Sequence, residues 1–372
     1  MKKVHITLVG GQPVPVYIGI KDDGQANTVV LVCSSQSKEE AERIKKQFPK
    51  RNIVVRQCHP VDLNEIESVA NQLKEDFLEY EKTINLTSGT KLWSLTFFRV
   101  FHQLGNTHFV YVDQTNQVTD VLTKESHFGK IDTFRRFELY GSPLTSFRTL
   151  DDFDDADFRV MRDIENTRKV NSHEFYLLTC NQVEGSRQTT ARGSVLEYSS
   201  ETQWARICLK TYGGGTYIKE FQSPHLFDLL FHSGWFELKT ARELRRNSLI
   251  GNIWLNCEFA DTEGNPKNEI DIIAELGNRL VFVECKTMIH DTTDIDKFRS
   301  ALRNFSGTSS TGVFVTNDSP NKNTLSRYEH AMEKCKDNGI LTFNFSLWKK
   351  DEKTNPTLAE LISEQVTTQY KR

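Results

Sequence analysis

Over the first 140 residues, short β-branched apolar runs alternate with amphipathic stretches. Residues 4–9, 28–33, 52–57, 83–86 and 108–112 read as strands. Residues 38–47, 62–80 and 91–104 read as helices between them. In the second helix Ile66, Val69, Ala70 and Leu73 recur at helical spacing, with Asp62 placed to cap the N-terminus. Short strands alternating with helices predict a parallel sheet covered on both faces, a Rossmann-like α/β domain over residues 1–140.

The pattern loosens from about Arg136. An acidic cluster (Asp151, Asp152, Asp154, Asp155), a polar stretch at 186–192 and the run Gly213, Gly214, Gly215 mark residues 141–222 as a connecting region with its own helix and some hairpin structure. A second α/β unit occupies residues 223–372. Leu226, Leu229, Leu230, Trp235, Phe236, Leu238, Ala241 and Leu244 give a helical region interrupted at Ser233-Gly234. Strands follow at 253–260, 269–276 and 279–286, the last two joined by a two-residue turn at Gly277-Asn278. A helix at 294–305, a strand at 312–316, a helix at 325–336 and a strand at 340–345 complete the unit, and no internal repeat is visible.

Composition narrows the class. The 372 residues are 37% hydrophobic, enough for real cores, and the formal charge of −3 argues against an overall polybasic nucleic-acid coat. No apolar run approaches the ~18 residues of a membrane span, and no signal peptide is read, so a cytoplasmic protein without membrane contact is expected. The seven cysteines are scattered with no C-x-x-C pair, and the ten histidines show no H-x-x-x-H spacing. A disulfide framework or familiar zinc chemistry is therefore not expected.

The chemistry concentrates near the turn at Gly277. Asp271 lies thirteen residues before Glu284 in Glu284-Cys285-Lys286. Residues two apart on a strand share a face, so Glu284 and Lys286 point together, and the hairpin brings Asp271 near them. Two converging carboxylates suit a hard divalent cation, and a neighbouring lysine can orient water or neutralise charge on phosphate. An acid-x-Lys triplet is cheap: Glu237-Leu238-Lys239 matches it, as does Asp351-Glu352-Lys353 inside a charge run. Glu284 differs because it follows the apolar strand Leu280-Val281-Phe282-Val283, where a charge is costly without a partner. An ordinary strand-end ion pair is the competing reading. Phe227, Phe231, Trp235 and Phe236 read as core rather than base-stacking platforms, and His232 and His290 as surface histidines.

A helix carrying Glu, a strand carrying Asp and a hairpin-related strand carrying Glu-x-Lys together resemble the PD-(D/E)xK nuclease superfamily, with Ile270 standing where proline often precedes the aspartate. The resemblance implies that Asp271 and Glu284 bind metal, that Lys286 positions water, and that Glu237, in Ser233-Gly234-Trp235-Phe236-Glu237, supports the metal shell. Without it, Glu237 reads equally well as a solvent-facing residue paired with Arg242 or a lysine.

Three small, polar loops follow strands in the N-terminal domain: Gly10-Gly11-Gln12-Pro13, Ser34-Ser35-Gln36-Ser37 and Thr87-Ser88-Gly89-Thr90-Lys91. All fall at strand C-termini, where open α/β sheets bind ligands, and the last opens a helix whose N-terminus favours an anion. The Walker A spacing is absent, as is G-x-G-x-x-G after the first strand. Asn85-Leu86-Thr87-Ser88-Gly89-Thr90-Lys91 resembles the Asn-x-Thr-Gly-Gly-Thr-Lys pattern of the CRISPR-associated Rossmann fold (CARF) sensors, with Ser88 in place of the first glycine. The candidate ligand residues are Gly11, Gln12, Ser35, Thr87, Ser88, Thr90 and Lys91.

A CARF domain followed by a PD-(D/E)xK domain resembles the CRISPR ancillary nucleases of type III antiviral defence. That resemblance implies a homodimer holding one cyclic tetra-adenylate as allosteric activator. It also implies manganese or magnesium at the nuclease site, and DNA as substrate, with single-stranded RNA cut by some members. Two other readings compete: a restriction- or repair-type nuclease needing no activator, and a ligand-binding regulator that does not cut.

Overall fold

Val4 to Val9 and Val29 to Cys33 are buried on both faces, as strands in the middle of a covered parallel sheet must be. In the computed structural model, which describes residues 2–180, 187–261, 263–306, 310–348 and 356–370, they lie in β1 (Lys3–Val9) and β2 (Thr28–Cys33). The chain divides into two units. One comprises Met1–Thr145, Phe259–Asn268 and Ala301–Ser310; the other comprises Ser146–Glu258, Glu269–Ser300 and Thr311–Arg372.

In the first unit, β1 and β2 are followed by β3 (Asn52–Gln57), β4 (Glu81–Asn85), β5 (Thr107–Val112), β6 (Gln117–Asp120) and β7 (Ser126–Phe128). Their spatial order is β3-β2-β1-β4-β5-β6-β7, with β1 to β5 parallel and β6 and β7 added as antiparallel strands. Helices α1 (Pro13–Asp22), α2 (Lys38–Lys46) and α5 (Thr133–Leu139) contribute to one face's core, and α3 (Leu63–Asp76) and α4 (Lys91–Phe101) to the other. Asp62 caps α3, accepting hydrogen bonds from the Asn64 and Glu65 amides. The doubly covered parallel sheet is the Rossmann-like α/β architecture expected for this segment. Helix α1 was not foreseen. Its sequence is apolar nearly all round, and Val14, Val16, Ile18 and Ile20 are all buried, so no amphipathic period marks it. Because β1 is flanked by β2 and β4, the direction of winding reverses between β1 and β4. The C-terminal ends of these two strands therefore form the sheet's switch-point crevice.

The second unit starts within β8 (Leu144–Thr149), which is followed by α6 (Asp155–Val170) and α7 (Ser172–Thr179). An antiparallel sheet follows, made of β9 (Arg187–Thr189), β10 (Val195–Ser199), β11 (Trp204–Lys210) and β12 (Thr216–Gln222) in the order β12-β11-β10-β9. Then come α8 (Leu226–Phe231), α9 (Gly234–Leu244), β13 (Ile250–Ala260), β14 (Pro266–Leu276) and β15 (Arg279–Lys286). The chain continues through α10 (Thr293–Ser306), β16 (Ser310–Thr316), α11 (Leu325–Asp337), β17 (Leu341–Asn344) and α12 (Leu358–Tyr370). Its main sheet has the order β17-β16-β15-β14-β13-β8. One core joins Phe153, Ile164 and Phe175 of the early segment to Phe221, Trp235, Phe236, Val281 and Val283. Trp235 and Phe236 are core residues, and Phe227 and Phe231 pack against that core. The break between α8 and α9 falls at Ser233, whose φ is 63°, and at Gly234, where a Cβ would lie 2.9 Å from the Asp228 carbonyl oxygen. Only glycine allows the two helices to approach this closely. No described helix is long and apolar enough to cross a membrane. The charge run at Lys349-Lys350-Asp351-Glu352-Lys353 and Ser186 of the polar stretch lie outside the described residues.

Candidate functional site

The β14–β15 hairpin pairs Leu276 with Arg279 next to its turn and Ile272 with Val283 further out, so the register places Asp271 opposite Glu284. Gly277 takes φ 60°, as this tight turn requires. Directly opposed strand residues have Cβ atoms about 5 Å apart on one face. That face carries Asp271, Glu284 and, two residues on, Lys286. The Lys286 Nζ lies 2.6 Å from Glu284 Oε1. The Cys285 amide donates to Asp271 Oδ2 at 2.6 Å. Helix α9 supplies Glu237, whose Oε2 accepts a hydrogen bond of 2.7 Å from Asn256 Nδ2 on β13. Glu237, Asp271 and Lys286 all line a cleft of about 750 Å³. The structure thus brings together the residues expected at this end of the chain.

Their electrostatics are those of a crowded acidic site. Burial pushes Asp271 up to about 7, with Glu284 beside it raising it further and Lys286 and the Cys285 amide opposing. Burial and the Asp271 charge hold Glu237 well above the ordinary glutamate range. Glu284 is raised by burial, against the pull of Lys286. Burial would lower the Lys286 ammonium, but Glu284 and Asp271 hold it above the ordinary lysine value. Three carboxylates thus face one ammonium.

Among the described residues, no three His, Cys, Asp or Glu side chains already converge as a metal-ligand group. The donor set consists of the opposed pair Asp271 and Glu284, with Glu237 on the same cleft. All its donors are oxygens, and an added positive charge relieves the repulsion that raises their protonation. This fits a hard divalent cation that keeps several waters. Glu237 is not paired with Arg242, whose guanidinium lies over the Phe158 ring. The look-alike Lys239 turns instead to Glu165, at 3.0 Å. His232 and His290 both line the cleft; His232 Nδ1 lies 3.3 Å from Asp228, and the His290 ring stands 6.3 Å from that of Tyr176.

The sensor loops meet at the switch-point crevice of the first unit. The Gly10 amide donates to Ser88 Oγ at 2.9 Å, joining the loops after β1 and β4. Ser37 Oγ donates to the Val9 carbonyl at 2.7 Å, tying in the loop after β2. Several expected hydroxyls serve the loop itself. Thr87 Oγ1 donates to Asn85 Oδ1 and accepts from the Val112 amide. Thr90 Oγ1 donates to the Pro60 carbonyl and caps α4 through the Trp93 amide. Ser88 is buried. Gly11, Gln12, Ser35 and Lys91 are exposed, and Gln12 Oε1 accepts from the Tyr140 hydroxyl at 3.0 Å. The sequence did not separate loop-building from exposed residues, because both are small and polar. A Cβ on Gly10 would lie 2.8 Å from the Gly89 nitrogen, whereas one on Gly11 meets nothing within 4 Å. Gly10→Ala should therefore cost about 1–3 kcal/mol in thermal melts, and Gly11→Ala close to nothing.

Residues 4–137 match the family described as the Card1 CARF domain. No curated protein matches the chain. Among solved structures, the chain superposes on Can2 from Sulfobacillus thermosulfidooxidans in complex with cyclic tetra-adenylate. The TM-score is 0.67 at 18% identity, with 92% of this chain and 95% of that one covered. It also superposes on protein VC1899 from Vibrio cholerae, with a TM-score of 0.66 at 13% identity and coverage of 99% and 98%. A type III CRISPR defence DNA nuclease activated by cyclic oligoadenylate matches with a TM-score of 0.53 at 14% identity, over 97% of this chain and 53% of that one. The N-terminal domain of this chain is a CARF domain of the Card1 type, and the chain as a whole shares the fold of these solved structures.

Proposed function

We propose that the chain is a divalent-metal-dependent endonuclease of type III CRISPR defence, gated by cyclic tetra-adenylate held at the CARF crevice of a homodimer. We assign residues 1–140 to the sensor, 141–222 to the connecting region and 223–372 to the nuclease. The observation that carries the reading is the group Glu237, Asp271 and Lys286 in one cleft, with Glu284 opposite Asp271 and ion-paired to Lys286. The CARF match supports the gate.

Asp271 and Glu284 would hold manganese or magnesium, whose bound charge polarises phosphate and lowers the pKa of water. Lys286, fixed by Glu284, directs its ammonium toward the attacking water and the negative charge that develops on the phosphoryl oxygens. Glu237 steadies the acidic side of the cleft. Gln12, Ser35 and Lys91, with the Gly11 backbone, present donors to the anionic ring, while Thr87, Ser88 and Thr90 shape the loop that carries Lys91. The ligand acts only as far as it binds the cutting-competent state more tightly than the resting one.

A single assay tests the reading. Supercoiled plasmid, single-stranded DNA and single-stranded RNA are incubated with manganese, with and without cyclic tetra-adenylate, using the wild type and Glu284→Ala. DNA cleavage is expected only with activator and only in the wild type. Activator-independent cutting would mark a restriction- or repair-type enzyme. Activator binding without cutting would mark a regulator.

A further inference from the structure

Strand β13 contains a residue that a regular strand excludes. Asn256 takes φ 50°, in the left-handed region, between Leu255 and Cys257, both buried. A left-handed residue inside a strand departs from the extended backbone of its neighbours. Asparagine tolerates this conformation better than most residues, though not without strain. Ser233, which leads into α9, is also left-handed at φ 63°. Both residues line the cleft that contains Glu237. The Asn256 amide donates to Glu237 Oε2 at 2.7 Å, and Glu237 makes no other hydrogen bond among the described residues.

From this geometry we infer that Asn256 is a positioning residue: held in a left-handed backbone, it aims a neutral donor at Glu237 Oε2 and leaves Oε1 free of it. The neutral amide matters. Lysine or arginine here would pair with Glu237 and compete with a cation, whereas an amide fixes the carboxylate and leaves its charge available. The contact gives the direction, since the Asn256 side chain and Glu237 line the same cleft. The inference rests on the proposed metal-dependent reaction. It adds that cation affinity depends on a residue outside the Glu237, Asp271, Glu284 and Lys286 set.

The test uses Asn256→Gly, which keeps the left-handed backbone and removes only the amide, in the full-length chain. Titration calorimetry with manganese alone should show affinity about tenfold weaker, with the thermal midpoint of the metal-free protein within a few degrees of wild type. The cleavage kcat at saturating substrate and fixed manganese should fall about tenfold or more. Combining Asn256→Gly with Glu237→Ala should weaken manganese binding no further than Glu237→Ala alone, because the amide acts through that carboxylate. Unchanged manganese affinity in Asn256→Gly, losses that add in the double variant, or a collapse of the thermal midpoint would each overturn the assignment. The calorimetric cycle needs no substrate, so a wild type that binds manganese but cuts nothing would refute the nuclease reading and leave the role of Asn256 in cation binding standing.

Discussion

Asp271→Asn is expected to lower cleavage roughly a thousandfold while making the metal-free protein more stable at neutral pH. The two effects have one cause. Asp271 is pushed from the ordinary aspartate value of 3.8 up to about 7 by burial and by Glu284. A carboxyl raised in the folded state favours folding while protonated, so its contribution is fully present below about pH 4. It is lost as pH rises through about 7. Three pH units at ~1.4 kcal/mol each set an upper bound of about 4 kcal/mol. Asparagine keeps an oxygen for the Cys285 amide and carries no charge, so the variant escapes that loss. Thermal melts of the metal-free protein from pH 4 to pH 8 check this: the stability difference, variant minus wild type, should grow across the window. Manganese should narrow the gap at pH 8 by stabilising only the wild type. A variant less stable than wild type at pH 8, or one that still cuts, would contradict the account. Glu237 and Glu284 are raised in the same direction, so the wild type as a whole should gain more from the metal as pH rises.

The placement of this cluster was readable in the sequence because local rules determine it. A two-residue turn at Gly277-Asn278 and strict alternation on two strands suffice to set Asp271 opposite Glu284 and to put Lys286 on the same face. The parallel core of the first unit was readable for the same reason, since β-branched runs buried on both faces leave few alternatives. Where burial surrounds an element the signal disappears, as in α1, whose apolar residues show no polar face. The contact between Asn256 and Glu237 was hidden for a different reason. It joins a helix to a strand nineteen residues later, through a left-handed asparagine that nothing in the surrounding pattern marks. In the sensor loops the residue types were visible but their tasks were not. Thr87 and Thr90 differ from Ser35 only in what the fold has already bonded to them.

That division of tasks sets the second large effect. Lys91→Ala is expected to weaken cyclic tetra-adenylate binding about a hundredfold or more and to raise the activator concentration needed for cleavage by a similar factor. Lys91 is exposed in the first turn of α4, where the helix N-terminus already favours an anion. A charged hydrogen bond to phosphate contributes about 1.5 kcal/mol or more. The proposed homodimer would present two copies to one ring, so the expected loss is about 3 kcal/mol, or roughly a hundredfold. Thr90→Ala should behave differently. It removes the cap on Trp93 and the bond to Pro60, so it should cost about 1 kcal/mol of stability as well as affinity. Calorimetric titration of the ligand into both variants and into Asp271→Asn separates the roles. Asp271→Asn should bind the ring like wild type, Lys91→Ala should lose affinity without losing its melting temperature, and Thr90→Ala should lose both. Equal ring affinity in Lys91→Ala and wild type would move the ligand away from this crevice. It would leave the loops after β1, β2 and β4 as connections only.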